Sequence, residues 1–256
     1  MAIKHPDTVY LSLVIPVYNE TVRLKSGLRK VVAYLNSQSY TWEVILVDDG
    51  SDIPLQLRVK AKGAERIITL RLPQNMGKGK AIKEGVAAAH GKYIVFTDID
   101  LSVPISEVQT MLQLLKRRNL VIASRRLSNS TIIIHQPWLR ESAGRLFTGL
   151  SNKLCKTHVA DVTCGFKGFT HETANILFPH LRINRWVFDT ELIYLARKFN
   201  IPVYEMPVGW SNKSGSKVRL LDSFGSFIDL IRIRINDICG VYNRPINKYS
   251  NNPINK

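Results

Sequence analysis

The sequence predicts an α/β fold, a mostly parallel sheet with helices covering both faces. Three observations lead there. Strand-length apolar runs alternate with segments of helical period. The runs are nearly continuous in apolar residues, as strands buried on two sides are. Polar clusters follow them at residues 16–20, 48–51 and 98–100, and such sheets bind ligands just beyond the carboxyl ends of their strands.

Residues 10–17 (YLSLVIPV) form the first strand. Leu24, Leu28, Val31, Val32 and Leu35 then recur at helical spacing. Residues 43–47 (EVILV) are the second strand, closed by a polar turn over 48–52, and 66–70 are the third. Residues 77–90 read as a loop entering a helix, and 92–97 (KYIVFT) as the fourth strand. Val108, Met111, Leu112 and Leu115 mark another helix and 120–123 another strand. The second half is less regular: a helix carrying Ala143, Leu146, Phe147, Leu150 and Leu154, a strand over 165–170, a helix over 188–198 and a strand over 203–207. His171-Glu172-Thr173-Ala174-Asn175 misses a zinc-protease H-E-x-x-H by its last residue and reads as a helix start. Residues 210–217 (WSNKSGSK) read as a polar, mobile loop. Leu220, Phe224, Phe227, Ile228, Ile231, Ile235 and Ile238 form the stripe of an amphipathic helix. The Asn/Pro/Lys-rich tail, in which PINK occurs twice, reads as disordered. The expected division is a main domain over 1–218, a C-terminal amphipathic helix over 219–242 and a tail over 243–256.

Composition narrows the class. No apolar run approaches the roughly 18–20 residues that span a bilayer, and residues 1–7 hold no signal-peptide core. Cys155, Cys164 and Cys239 are too few for a disulfide framework or a cysteine-rich zinc site, which points to a reducing compartment. The 36 Lys+Arg against 20 Asp+Glu leave a formal charge of +16. The excess is concentrated: residues 116–156 carry nine basic residues and one acid, Glu141. Such a field attracts nucleic acid, anionic membrane or phosphorylated ligands, or simply keeps the protein soluble.

The chemistry sits at the strand ends. Asp98 and Asp100 follow the fourth strand, where two carboxylates can share one Mg²⁺ or Mn²⁺ with phosphate oxygens. Such a metal offsets charge on a departing diphosphate. In 75–81 (NMGKGKA), glycines let backbone N–H groups approach phosphate at a helix entry. The segment is neither a G-x-G-x-x-G fingerprint, since position 82 is Ile82, nor a Walker loop. Arg125, Arg126, Arg140 and Arg145 lie where Glu141 is the only nearby acid in sequence, so Arg125 and Arg140 are expected to bind an anionic ligand.

Four segments occur in a telling order: VIPVYNE (14–20), VDDGS (47–51), NMGKGKA (75–81) and DID (98–100). In that order they resemble the family-2 glycosyltransferases of the GT-A fold. DVTCGFKGF (161–169), RWVFDTEL (185–192) and SGSK (214–217) narrow the resemblance to polyprenyl-phosphate sugar synthases, most like the dolichyl-phosphate β-glucosyltransferases and next the mannose synthases. It covers about residues 10–225.

The resemblance implies a Rossmann-like GT-A sheet, a nucleotide-sugar donor and a polyprenyl or dolichyl phosphate acceptor. It places Pro16, Tyr18, Glu20, Asp48, Asp49 and Ser51 at the nucleoside, Gly77 and Lys78 at the diphosphate, and Asp98 and Asp100 at the metal. Arg125 and Arg140 match positions that grip the acceptor phosphate, and Lys217 a loop lysine that closes over the phosphates. Asp189 matches a base position in related enzymes and is read either as an orienting group or as a site contact. Mannose synthases often carry Gln where this chain has Ser102, which weakens the mannose assignment. A phosphate acceptor is already anionic near neutral pH, so arginines rather than a general base serve the acceptor side. The expected function is inverting, metal-dependent transfer of a sugar, glucose from UDP-glucose first and mannose from GDP-mannose second. The expected setting is the cytoplasmic face of a membrane, peripherally, without a transmembrane helix and without nucleic acid. Outside this class stand a basic nucleic-acid-binding module, which gives no reason for the DID pair or the glycine loop, and a catalytically silent membrane adaptor, against which the intact Asp98 and Asp100 argue.

Overall fold

A computed structural model describes residues 9–55, 63–213 and 222–243. Seven strands build the main sheet: β1 (Leu11–Val17), β2 (Trp42–Asp48), β3 (Ile67–Arg71), β4 (Tyr93–Phe96), β5 (Leu120–Ser124), β7 (Lys167–Thr170) and β8 (Val203–Pro207). Their order is β3-β2-β1-β4-β7-β5-β8. All neighbours are parallel except β7, which runs antiparallel to both β4 and β5. β6 (Thr131–Ile134) and β9 (Gly209–Ser211) form a separate parallel pair.

Both faces of the sheet are buried, which is why β1 and β2 read as unbroken apolar runs. On one face Leu11, Leu13, Ile15 and Val17 meet α1 (Thr21–Asn36) and α3 (Glu107–Leu115) through Leu24, Leu28, Val108 and Met111. On the other, Val14, Ile45 and Phe96 pack in one core with residues of α2 (Lys78–Ala87), α5 (His171–Leu177) and α6 (Phe188–Lys198). Pro16 is tolerated inside β1 because of where β4 stops. The Val14 carbonyl accepts the Thr97 N–H, so residue 16 faces the same neighbour two places on, past the last β4 pair at Val14 and Phe96.

α4 (Trp138–Cys155) and α7 (Asp222–Ile238) pack against each other, and both touch α6. α7 docks through Leu230 and Ile233, both fully buried. Its lower end is tied by Lys198 to Asp237 at 2.7 Å and by the buried Tyr242 hydroxyl donating to Glu191 at 2.6 Å. The stripe read from the sequence faces outward: Phe227, Ile228, Ile231, Ile235 and Ile238 are exposed.

Three readings change. The polar loop expected over 210–217 begins as strand β9, whose Trp210 is buried; Lys217 lies outside the described residues, as do Leu220 and the tail beyond 243. β6 falls where no strand is expected: three of its four residues are exposed, and only Ile132 packs against the core, beside Trp210 of β9. The strand expected from 165 begins at Lys167, although the Phe166 carbonyl already accepts the Ala123 N–H at 2.9 Å.

Candidate active site

The parallel register brings the loops after β1, β2 and β4 to one edge. Pro16 pairs with Val47 and Val17 with Asp48, so the two chains leave the sheet together, and the Asp49 N–H donates to the Val17 carbonyl at 2.8 Å. The turn after β2 is built by its own side chains. Buried Asp48 accepts the Ser51 N–H at 2.9 Å and pairs with Arg71, whose Nη2 donates to the Ser51 carbonyl at 2.7 Å. Ser51 Oγ in turn accepts the Asn19 N–H at 2.9 Å. Tyr18 and Glu20 stand half-buried at the adjoining loop, with Glu20 on Arg23 at 3.1 Å.

Asp49 reaches the other way. Its carboxylate accepts the N–H groups of Met76 at 2.8 Å and Gly77 at 2.9 Å, which seats the glycine loop at the head of α2. Burial pushes the Asp49 carboxyl above its ordinary range, against the pull of those two N–H groups. Gly77 sits at φ 103°, in the left-handed half of the map, and a Cβ there would lie 2.5 Å from the Asn184 carbonyl. That contact binds the loop to residues 184–188, since Asn184 O also accepts the Lys80 N–H at 3.0 Å.

From this loop Lys78 places its ammonium 2.6 Å from Asp98 Oδ1. Burial disfavours the charge on Lys78, but Asp98 and Asp189 outweigh it and hold the lysine above its usual value. Asp98 is 41% exposed, so one side of the pair opens to solvent. Its Oδ2 looks at Gly165, where a Cβ would fall 2.3 Å away; that wall must be glycine. Asp100 accepts the Ser102 N–H at 2.9 Å, closing the turn after β4. A divalent cation fits this donor set. The carboxylates of Asp98 and Asp100 offer the hard oxygens that Mg²⁺ or Mn²⁺ prefers, and an anionic ligand and water would supply the rest of the shell. Among the described residues no cluster of three or more His, Cys, Asp or Glu forms a closed metal cage.

Beneath the pair lies a buried ionic layer. Lys167 is fully buried; its Nζ donates to the carbonyls of Val162 at 3.0 Å and Cys164 at 2.7 Å and to Asp189 Oδ1 at 2.5 Å. Burial raises the Asp189 carboxyl while Lys167 and Lys78 pull it down. Asp189 is thus engaged from below, which favours the orienting role over a base that meets substrate. The visible histidine contacts lie elsewhere: His90 with Glu43, His135 with Glu141, His171 with the Gly91 carbonyl and His180 with the Ile176 carbonyl.

The arginines divide. Arg145 is taken by Glu141 at 2.8 Å, and Arg126 donates to the Ala160 carbonyl at 3.1 Å. Arg125 is not short of an acid: its Nε and Nη2 clamp both oxygens of buried Asp161 at 2.7 and 2.9 Å, and Nη2 also donates to Thr163 at 2.8 Å. Its guanidinium packs 5.4 Å from the Trp210 ring. Asp161 stands 36 residues away in the chain, beyond the segment in which Glu141 is the only acid. Despite its burial Asp161 falls to about 2, because Arg125 holds it charged. No protein partner for Arg125 Nη1 is seen among the described residues. Arg140 stands near both Arg125 and Asp100; burial and Arg125 lower its guanidinium, and Asp100 offsets part of that.

The structure therefore gathers Asp49, Gly77, Lys78, Asp98, Asp100, Asp189, Arg125 and Arg140 around one edge. Asp161, Lys167 and Trp186, the last with its ring 5.7 Å from the Lys78 ammonium, adjoin these residues; the sequence places all three in quoted segments but gives none an individual role. The first two lie in DVTCGFK, where a buried lysine is visible only once its three acceptors are in place.

Comparison with known proteins identifies the family and the fold. Residues 12–176 match the glycosyl transferase family 2 profile. A dolichyl-phosphate beta-glucosyltransferase of Dictyostelium discoideum is 37% identical over 93% of this chain and 78% of its own length. Those of Homo sapiens and Saccharomyces cerevisiae are 32% and 30% identical over 92% of this chain, spanning 78% and 77% of theirs. Among solved structures, glucosyl-3-phosphoglycerate synthase from Mycobacterium tuberculosis, crystallised with Mn²⁺, UDP-glucose and phosphoglyceric acid, superposes with a TM-score of 0.66 at 17% identity, over 91% of this chain and 80% of that one. At that identity the likeness is one of fold, and it bears out the GT-A arrangement expected from the motifs.

Proposed function

The chain belongs to glycosyl transferase family 2, and from that premise we propose that it moves glucose from UDP-glucose to a polyprenyl phosphate, dolichyl phosphate foremost, with inversion and at a membrane surface. It is a glycosyltransferase; the donor, the acceptor and the place are the proposal. The names of its relatives favour glucose and dolichyl phosphate over mannose.

The carrying observation is the asymmetry of the site. Its donor side holds Asp98, Asp100 and Lys78 at a glycine loop; its acceptor side holds Arg125 and Arg140. The loops carrying Pro16, Tyr18, Glu20, Asp48, Asp49 and Ser51 would frame the nucleoside, and Gly77 and Lys78 the diphosphate. Asp98 and Asp100 would hold Mg²⁺ or Mn²⁺, which supplies charge compensation to the leaving diphosphate. Lys78, now on Asp98, would turn to the diphosphate once the cation takes the carboxylate. Arg140 and the remaining amino group of Arg125, Nη1, would orient the acceptor phosphate for attack from the side opposite the leaving group. The attacking oxygen is already anionic, so no base is required, and an Asp189 locked to Lys167 suits that chemistry. Lys217, outside the described residues, would complete the phosphate contacts.

No helix among the described residues is long and apolar enough to cross a membrane. We assign membrane contact to the outward stripe of α7, which would bring the protein to the cytoplasmic face where the lipid phosphate lies. A donor panel with dolichyl phosphate tests the reading: UDP-glucose should outrun GDP-mannose, UDP-galactose and UDP-N-acetylglucosamine by at least about tenfold, a discrimination of about 1.4 kcal/mol. Preference for GDP-mannose would overturn the sugar assignment.

A further inference from the structure

We propose that Trp186 is the platform on which the transferred hexose stacks, making it a specificity-determining residue; this rests on the nucleotide-sugar reading above. The residue follows Arg185 in the segment that leads into α6. Its two successors are core residues, Val187 at 1% and Phe188 at 0% exposure, yet Trp186 keeps 39% of its surface in solvent. That exposure is imposed by an anchored loop. Upstream, the Glu191 carboxylate accepts the N–H groups of Arg182 at 2.9 Å and Ile183 at 2.8 Å. Next, the Asn184 carbonyl accepts the Lys80 N–H at 3.0 Å. Downstream, Phe188 packs on Phe96 with ring centroids 5.9 Å apart. The indole is therefore presented by fixed backbone on both sides.

What it is presented to is the donor end of the site. The Lys78 ammonium lies over the indole, 5.7 Å from the ring centroid, while bonding Asp98 at 2.6 Å. Trp138, Tyr204 and Phe227 are also exposed aromatics, but Trp186 is the one seen against the Lys78–Asp98 pair among the described residues. A phosphate taken by Lys78 brings its substituent to the same ring. In a sugar diphosphate that substituent is a hexopyranose. Its ring C–H groups carry partial positive charge and meet the negative face of an indole favourably, while its hydroxyls stay at the rim. Ligand sites commonly combine such an apolar wall with a few placed polar groups. Here Asp98, Lys78 and Asp100 supply the polar part, and Trp186 the wall.

The sugar's share of donor affinity tests this. Isothermal titration calorimetry with Mn²⁺ present would compare UDP-glucose with UDP, and GDP-mannose with GDP, on wild type, Trp186→Ala and Trp186→Phe, with circular dichroism as the folding control. We expect Trp186→Ala to lose roughly five- to tenfold in affinity for the nucleotide sugar and under twofold for the free nucleotide. Trp186→Phe should recover most of the loss. Equal losses for sugar nucleotide and nucleotide would overturn the stacking role, as would an unchanged sugar nucleotide affinity. A wild type that binds neither sugar nucleotide would instead overturn the donor reading itself, and the inference with it.

Discussion

Two arginines that look alike in the sequence have different work. Arg125 is built into the protein, clamped on a buried carboxylate, whereas Arg140 lies within electrostatic reach of both Arg125 and Asp100. Arg140→Ala should raise the acceptor KM several-fold and leave donor KM and thermal stability unchanged, read by steady-state kinetics and a melting curve. The Arg125–Asp161 pair should show in the pH dependence of stability. Asp161 ordinarily titrates at 3.8 and falls to about 2 in the fold. A depressed carboxyl stabilises above its unfolded pKa and loses that contribution as pH falls through the folded one. The pair should therefore contribute about 2 kcal/mol above pH ~4, fading toward pH ~2. Denaturant titrations from pH 2 to 7 should show this limb, and Asp161→Asn should flatten it. At this scale the sequence disclosed the residues with local signatures: DID after a strand, Lys78 in its glycine loop. It concealed those whose meaning depends on distant chain, such as Asp161 under Arg125 and Lys167 under Asp189.

Elements were legible to the extent that burial repeats along them. α6 and β8 match the expected 188–198 and 203–207. β9 was lost in a polar segment because a three-residue strand has too little pattern to register. α7 taught the opposite lesson. Its sequence stripe is real, but Leu230 and Ile233, off that stripe, are what seat the helix on the domain. Five exposed residues, Phe227, Ile228, Ile231, Ile235 and Ile238, are thereby left on the surface. Phe227→Asp and Ile231→Asp should accordingly keep the fold by circular dichroism while weakening co-sedimentation with anionic liposomes several-fold. Leu230→Asp places a charge in a fully buried position and should unfold the protein instead. If either stripe variant unfolds, or sediments with liposomes as wild type does, the stripe has no membrane role.

For the whole molecule, the +16 charge and the site's polarity belong to one design. In the proposed reaction an anionic diphosphate would enter beside Asp98 and Lys78 and an anionic acceptor would approach Arg140 and Arg125, and a basic surface would favour both encounters. Charge alone does not separate these partners from nucleic acid; the order of motifs and the strand register that gathers them are what favour a diphosphate ligand. Arrangement of the sheet was legible because its parallel strands are apolar throughout, while the reversed β7 at its centre was not, since strand direction leaves no mark on composition. The central claim is metal-dependent glucosyl transfer to a lipid phosphate. The direct measurement supplies the purified chain with radiolabelled UDP-glucose and Mn²⁺, with or without dolichyl phosphate in detergent-lipid micelles, and counts label in the organic extract. The account predicts organic-phase label that requires dolichyl phosphate, disappears in excess EDTA and falls by at least about 100-fold in Asp100→Ala. Undiminished transfer in EDTA, or label that enters the organic phase equally without dolichyl phosphate, would contradict it.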